Sequence, residues 1–222
     1  MASIITAAEA RRWIPGLTGT TEDTILEDLI DAADSALAEL CNYPYPRDED
    51  PPNSRGKSLL KETYLFFLEG DALNPILLRL PVWPCGGDTP SVHMDPSREY
   101  PASSLLGFGT DYEVLTRVGG GQFAGLLLKP SGAAGSWSTS YRSVKVLIEG
   151  GYSTLGIGYD DLPKDIQVAC GLLVAHWWQL RHTSGMTNIS QAGGSAGLVS
   201  GAIPDNVKEI MKPYRLSNSW VG

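Results

Sequence analysis

Cysteine is scarce in this chain: Cys41, Cys85 and Cys170 stand far apart, and no two form a C-x-x-C pair. Three scattered thiols match neither a disulfide framework nor a zinc pattern, so a reduced, intracellular protein is expected. Basic charge is also in short supply. Lys and Arg number 17 against 25 Asp and Glu, a net charge of −8. Such a chain gains nothing from counterion release on DNA. That argues against tight non-specific nucleic-acid binding, yet suits a surface along which DNA passes without sticking. Long apolar runs are missing, and the stretch around CGLLVAHWW falls well short of the roughly 20 residues that span a bilayer. The N-terminus MASIITAAEARRW has no basic segment ahead of an apolar run, and Glu9 interrupts it early. No signal peptide and no membrane partner are expected, and the protein reads as soluble.

Catalytic spacings fail on their context. GGSAG at 193–197 matches G-x-S-x-G, but a nucleophile elbow needs a strand before Ser195, a helix directly after it, and a histidine later in the chain. Here the flanks are Gly/Ser-rich and His93, His176 and His182 all precede the serine. RGKS at 55–58 resembles the end of a phosphate-binding loop, but Pro51 stands where that loop needs its first glycine. His176 and His182, six apart on a helix, point in different directions and cannot share a metal unaided. His176, beside Trp177 and Trp178, reads as a core or interface histidine. Asp160, Asp161 and Asp165 cluster where a helix begins, which its dipole explains without a metal. No catalytic residue, cofactor or metal is expected, and the chemistry is that of surfaces.

What the chain does have is two kinds of periodicity. Residues 6–14 read as a short helix stopped by Pro15-Gly16. Thr20 or Thr21 then caps a longer one, whose Ile25, Leu29, Ala32, Ala33, Ala36 and Leu40 follow helical spacing, widened by Leu26, Ile30 and Leu37. Its acids, Glu27, Asp28, Asp31 and Asp34 among them, have no base between them. They form either a solvated face or a surface turned to a partner or a DNA channel. After the proline-rich CNYPYPRDEDPPNSRG the period changes. Short apolar segments separated by turns suggest about six antiparallel strands, with hairpin connections at 69–71 and 119–121. Helix returns at Pro163, a residue suited to a first turn. Ile166, Ala169, Cys170, Leu173, Trp177 and Leu180 form one face, and Val168, Leu172 and Ala175 cover much of another, so this is a central core helix. A mobile Gly/Ser loop, a last helix from Pro204 to Pro213 and a tail follow. The fold class is α+β. A bundle of about four helices, 1–56 and 153–213, is interrupted by an antiparallel β-domain at 57–152, and 214–222 is a tail. Trp220 in that tail either folds back onto the core or meets a partner.

The strand VKVLIEGGY, the helix DLPKDIQVACGLLVAHWWQLR, the Gly-rich loop and IPDNVKEIMKPYR, in that order, resemble the head–tail connector (adaptor, or head-completion) proteins of tailed bacteriophages. TILEDLIDAADSALAELCNYPY resembles their second helix, and the middle resembles longer members with an inserted β-domain. The resemblance covers most of the chain, in pattern and order rather than in an invariant motif. It implies a structural virion protein at the head–tail junction, made in the host cytoplasm, forming a ring usually of twelve subunits beneath the portal. Its partners would be the portal protein, the next tail or neck component, and the DNA passing through. It also implicates Tyr214, Arg215, Leu216 and Trp220 in portal contact. Glu27, Asp28, Asp31 and Asp34 would then line a channel or a ring interface. Two other classes stay open: a non-catalytic module binding a carbohydrate or host surface, which exposed Trp83 and Trp137 would favour, and a hydrolase of unrecognised constellation.

Overall fold

Thr6 opens the first helix by a reciprocal cap. Its hydroxyl accepts from the Glu9 amide at 3.2 Å, and the Glu9 carboxylate accepts from the Thr6 amide at 2.8 Å. The Thr6 amide and hydroxyl hold the Glu9 carboxyl below the usual range. The computed structural model describes residues 3–46, 56–85, 89–115, 124–129, 132, 134–154, 161–183, 188–191, 194–197 and 203–216. Helices α1 (Ala7–Arg11) and α2 (Asp23–Leu40) come first, then strands β1 (Glu62–Leu68), β2 (Leu77–Leu80), β3 (Ser91–Met94), β4 (Tyr112–Leu115), β5 (Ala124–Leu128) and β6 (Val144–Gly150). Helix α3 (Lys164–Thr183), strands β7 (Asn188–Gln191) and β8 (Gly194–Gly197), and α4 (Asp205–Met211) complete the order. Among the described residues the class is α+β: four helices, two antiparallel sheets of three strands each, and a two-stranded hairpin.

Helix α2 turns a different side inward from the one its spacing suggests. Leu26, Ile30, Ala33 and Leu37 are buried, while Ile25 and Ala32 are exposed. Two apolar stripes lie about 100° apart on this helix, and the one with the larger side chains takes the core. The expected threonine cap is also absent. Glu22 holds the cap position without a side-chain bond, and Arg11 instead clamps the first turn, its Nε and Nη2 donating to Asp23 at 3.1 and 2.9 Å. Helix α3 is central as its sequence implies, packing on α1, α2 and α4 through Ile166, Ala169, Cys170, Leu173 and Val174.

In the first sheet β6 lies between β1 and β3, and its residues alternate buried and half-buried along its whole length. Tyr64 pairs opposite Ile148 and Phe66 opposite Val146, and the two rings stack at 5.8 Å. The second sheet runs β2–β5–β4, with Leu78, Leu126 and Val114 in one row. Trp137 closes that sheet, its indole N–H donating to the carbonyls of Ile76 and Leu126 at 2.9 and 3.2 Å. Residues 69–71 do not join a hairpin, because β1 pairs β6 and β2 pairs β5. Strands β4 and β5 do pair as neighbours, and Gly119, Gly120 and Gly121 in their connection lie outside the described residues.

The strands leave and rejoin the helices through a narrow neck. The Tyr152 amide donates to Leu59 O at 2.8 Å and the Lys61 amide to Tyr152 O at 2.9 Å. Gly151, at φ +101°, lies so close that a Cβ would stand 2.3 Å from Leu60 O. The glycines after β6 therefore let the outgoing chain touch the incoming one. Helices pack on helices and strands on strands, yet the buried apolar residues of both parts join in one connected cluster.

Candidate functional site

The stretch Gly56-Lys57-Ser58, similar in sequence to part of a phosphate loop, is structural. The Ser58 hydroxyl donates to Asp34 at 2.6 Å and the Leu59 amide to the same carboxylate at 2.9 Å. The Lys57 ammonium meets Glu39 at 2.5 Å and lies 5.0 Å from the Tyr45 ring. Asp34 thus fastens the neck to α2. Burial pushes its carboxyl up to about 6, and the charges of Asp31 and Glu62 push the same way against the two hydrogen bonds. Glu27, Asp28 and Asp31 stand exposed. Three of the four acids therefore face solvent, and the fourth is turned inward. Nothing in the sequence separates Asp34 from Asp31.

An aromatic seam continues from this contact. The Tyr43 hydroxyl donates to Trp83 O, Trp83 meets the Tyr152 ring edge-on at 5.8 Å, and Tyr152 meets Tyr214 edge-on at 6.3 Å. Tyr214 also donates to Asp165 at 3.3 Å. Leu216 is held twice: its amide donates to Cys41 O at 2.9 Å, and its carbonyl accepts from Asn42 Nδ2 at 3.2 Å. Tyr214 and Leu216 are therefore tied to the protein's own body, whereas Arg215 is exposed between them. Trp220 lies outside the described residues.

Trp83 and Trp137 are buried, at 8% and 1% exposure, which removes the exposed tryptophan pair that a carbohydrate-binding face would need. Ser195 lies within β8, opposite Ser190 of β7, and Ala196 and Gly197 after it continue the strand, so no helix directly follows the serine as an elbow requires. His176 is half-buried with Nε2 enclosed and unbonded, and Asp160 lies outside the described residues. Among the described residues no three His, Cys, Asp or Glu converge as metal ligands, and no helix is long and apolar enough to cross a membrane. The three cysteines are buried, with burial pushing Cys41 and Cys85 up to about 12, so their thiols are inert at neutral pH. An open groove of about 700 Å³ lies where β1 ends and β2 begins, lined by Phe67, Leu68, Asp71, Leu77 and Arg142 among others.

This arrangement has a counterpart among solved structures. A chain in the virion of a native gene transfer agent (GTA) particle aligns with all of this chain and with 96% of its own length, at a TM-score of 0.57 and 16% identity. The two share a fold. No protein-family model and no curated protein sequence matches the chain. What the geometry offers is therefore a set of surfaces: an exposed acidic stripe on α2, a C-terminal segment docked up to Leu216, and a groove between the sheets.

Proposed function

We propose that this chain is a structural protein of a phage-like virion, and specifically an adaptor in the ring that joins the portal vertex of the head to the tail. The observation that carries the reading is the end-to-end fold match to a chain of a gene transfer agent virion. The order of elements supports it, since the β-strands interrupt a helical body as in the connectors that the sequence resembles. In this reading about twelve copies close a ring, with the portal protein above, the next tail or neck component below, and genomic DNA passing through. Glu27, Asp28 and Asp31 face the channel or the adjoining subunit, where fixed negative charge keeps the phosphate backbone from adhering. Tyr214 and Leu216 fix the base of the C-terminal segment. Arg215 and the residues beyond it, Trp220 included, make the portal contact.

The test is to add purified protein to DNA-filled, portal-bearing heads that lack it, and to image the vertex. A ring of density beneath the portal, and restored tail attachment, are expected. Heads that stay bare, or protein scattered over the whole shell, would refute the reading.

A further inference from the structure

Strand β1 has a second edge that no described element covers. The Asp95 amide donates to Ser143 O at 2.7 Å, in register with the β3–β6 ladder, so β6 turns its odd-numbered residues to β3 and its even-numbered ones to β1. Tyr64, Phe66 and Leu68 therefore bond β6. The backbone groups of Thr63, Leu65 and Phe67 point the other way, and β1 ends the strand order of its sheet. Thr63 is exposed and Leu65 and Phe67 half-buried, so water and a partner can reach this side. The strand is seven residues long and mostly apolar, with no proline to blunt it. Edges of this kind pair with other chains unless they are covered. At its Phe67–Leu68 end the edge opens into the groove of about 700 Å³, which leaves room for added chain.

The β7–β8 hairpin has the opposite need. Among the described elements its two strands pack chiefly on each other, and a lone two-stranded hairpin is marginal in water. Gln191 lies eight residues beyond the end of α3, a reach of roughly 26 Å at about 3.3 Å per residue. A chain of this size has a radius of gyration of about 17 Å, so a connection of that length is long enough to reach a neighbouring molecule.

We propose that the β7–β8 hairpin of one copy adds to the free edge of β1 in a second copy of this chain, so that adjacent subunits share a sheet. The contact is heterologous, since each copy gives a hairpin on one side and an edge on the other, and such contacts make a ring when the rotation between copies closes. Main-chain hydrogen bonds supply its strength. The inference rests on the ring reading above.

Hydrogen exchange with residue-level fragmentation, on the full chain free in solution and then on DNA-filled heads, reads the edge directly. In the free chain the amides of Thr63, Leu65 and Phe67 should exchange about 100-fold faster than those of Tyr64 and Phe66, and on the heads they should slow by a similar factor. A variant with 188–197 replaced by Gly-Ser repeats of equal length should keep its melting temperature but leave those three amides fast. The proposal is overturned if they are already slow in the dilute free chain, if they stay fast on the heads, or if they slow on the heads without the hairpin. A wild-type chain that never joins the heads sinks the ring reading instead. Mixing Leu65→Cys and Ser190→Cys chains at high concentration under an oxidant then tests the edge alone: cross-linked pairs are expected, and their absence overturns the proposal.

Discussion

Asp34 joins two parts of the molecule through one carboxylate, and it does so in a place that disfavours its charge. Its folded value of about 6 lies above its ordinary 3.8, so protonation favours the folded state. The stabilisation is fully present below about pH 4 and is lost as pH rises through about 6. The gap between the folded and ordinary values sets a ceiling on the order of 3 kcal/mol for this one group. Melting measured from pH 4 to pH 7 should fall with rising pH in the wild type, and the slope should flatten in Asp34→Asn, which keeps an acceptor for the Leu59 amide. Asp34→Ala leaves that amide and Ser58 without their partner and should cost about 1–3 kcal/mol near pH 4, and less as pH rises and the wild type loses the stabilisation of this group. An unchanged slope in Asp34→Asn would assign the pH dependence to other groups. Asp31, one turn earlier and exposed, should tolerate the same substitutions within about 0.5 kcal/mol.

Helix α2 shows how much periodicity can reveal. Its existence, length and amphipathic character follow from spacing alone, but the choice between two adjacent apolar stripes depends on what α3 presents, and that is not local information. Leu37→Ala should lower stability by about 2–5 kcal/mol in urea titrations, whereas Ile25→Ala should cost less than about 1 kcal/mol. Equal losses at the two positions would mean that the helix is rotated from the orientation described. Strand pairing is hidden for a similar reason. The turn residues at 69–71 suggest a hairpin, but β1 finds its partner in β6, about eighty residues away, where Ile148 and Val146 meet Tyr64 and Phe66. The β7–β8 hairpin is illegible because a Gly/Ser-rich stretch carries no alternation of apolar and polar residues to betray a strand. The C-terminal segment divides at Leu216. Removing 217–222 should leave the melting temperature within about 2 °C of wild type, while removing 214–222 strips the Tyr152–Tyr214 contact and both bonds of Leu216, and should lower it by about 4 °C or more. If the shorter truncation alone destabilises the protein, Trp220 belongs to its own core. If it leaves stability intact but prevents attachment to heads, the portal contact lies beyond Leu216.

Helices pack mainly on helices and strands on strands, with one cluster of buried apolar residues running through both, and the neck between them allows one set to be tested without the other. Leu59, Lys61 and Tyr152 are hydrogen-bonded neighbours, so the chain can be closed there with a short turn and no reach across open space. Residues 62–150 can therefore be replaced by a brief Gly/Ser link while Ser58, Leu59 and Tyr152 stay in place for Asp34 and Tyr214. Helices α1 to α4 pack on one another, and their contacts survive this excision. The losses are specific. The Tyr43 hydroxyl loses the Trp83 carbonyl, the Tyr152 ring loses Trp83, and the apolar residues that the strands cover become exposed. Water and the Tyr152 hydroxyl can replace the Trp83 carbonyl, so the newly exposed apolar surface carries most of the cost, against a total stability of about 5–15 kcal/mol for a domain. The excised chain should keep the far-ultraviolet circular dichroism of its helices at about 10 °C, near the usual temperature of maximum stability, while melting well below the full protein. Replacing Tyr43 by Phe in the excised chain should change stability by less than about 0.5 kcal/mol, because water then reaches that hydroxyl, whereas in the full chain the same change should cost about 1 kcal/mol through the lost bond to Trp83. Loss of all helical signal on excision would mean that the two packings share one indivisible core. Equal losses from Tyr43→Phe in the two chains would mean that the Tyr43 hydroxyl keeps a buried partner after excision, and that the strands are not what shields it.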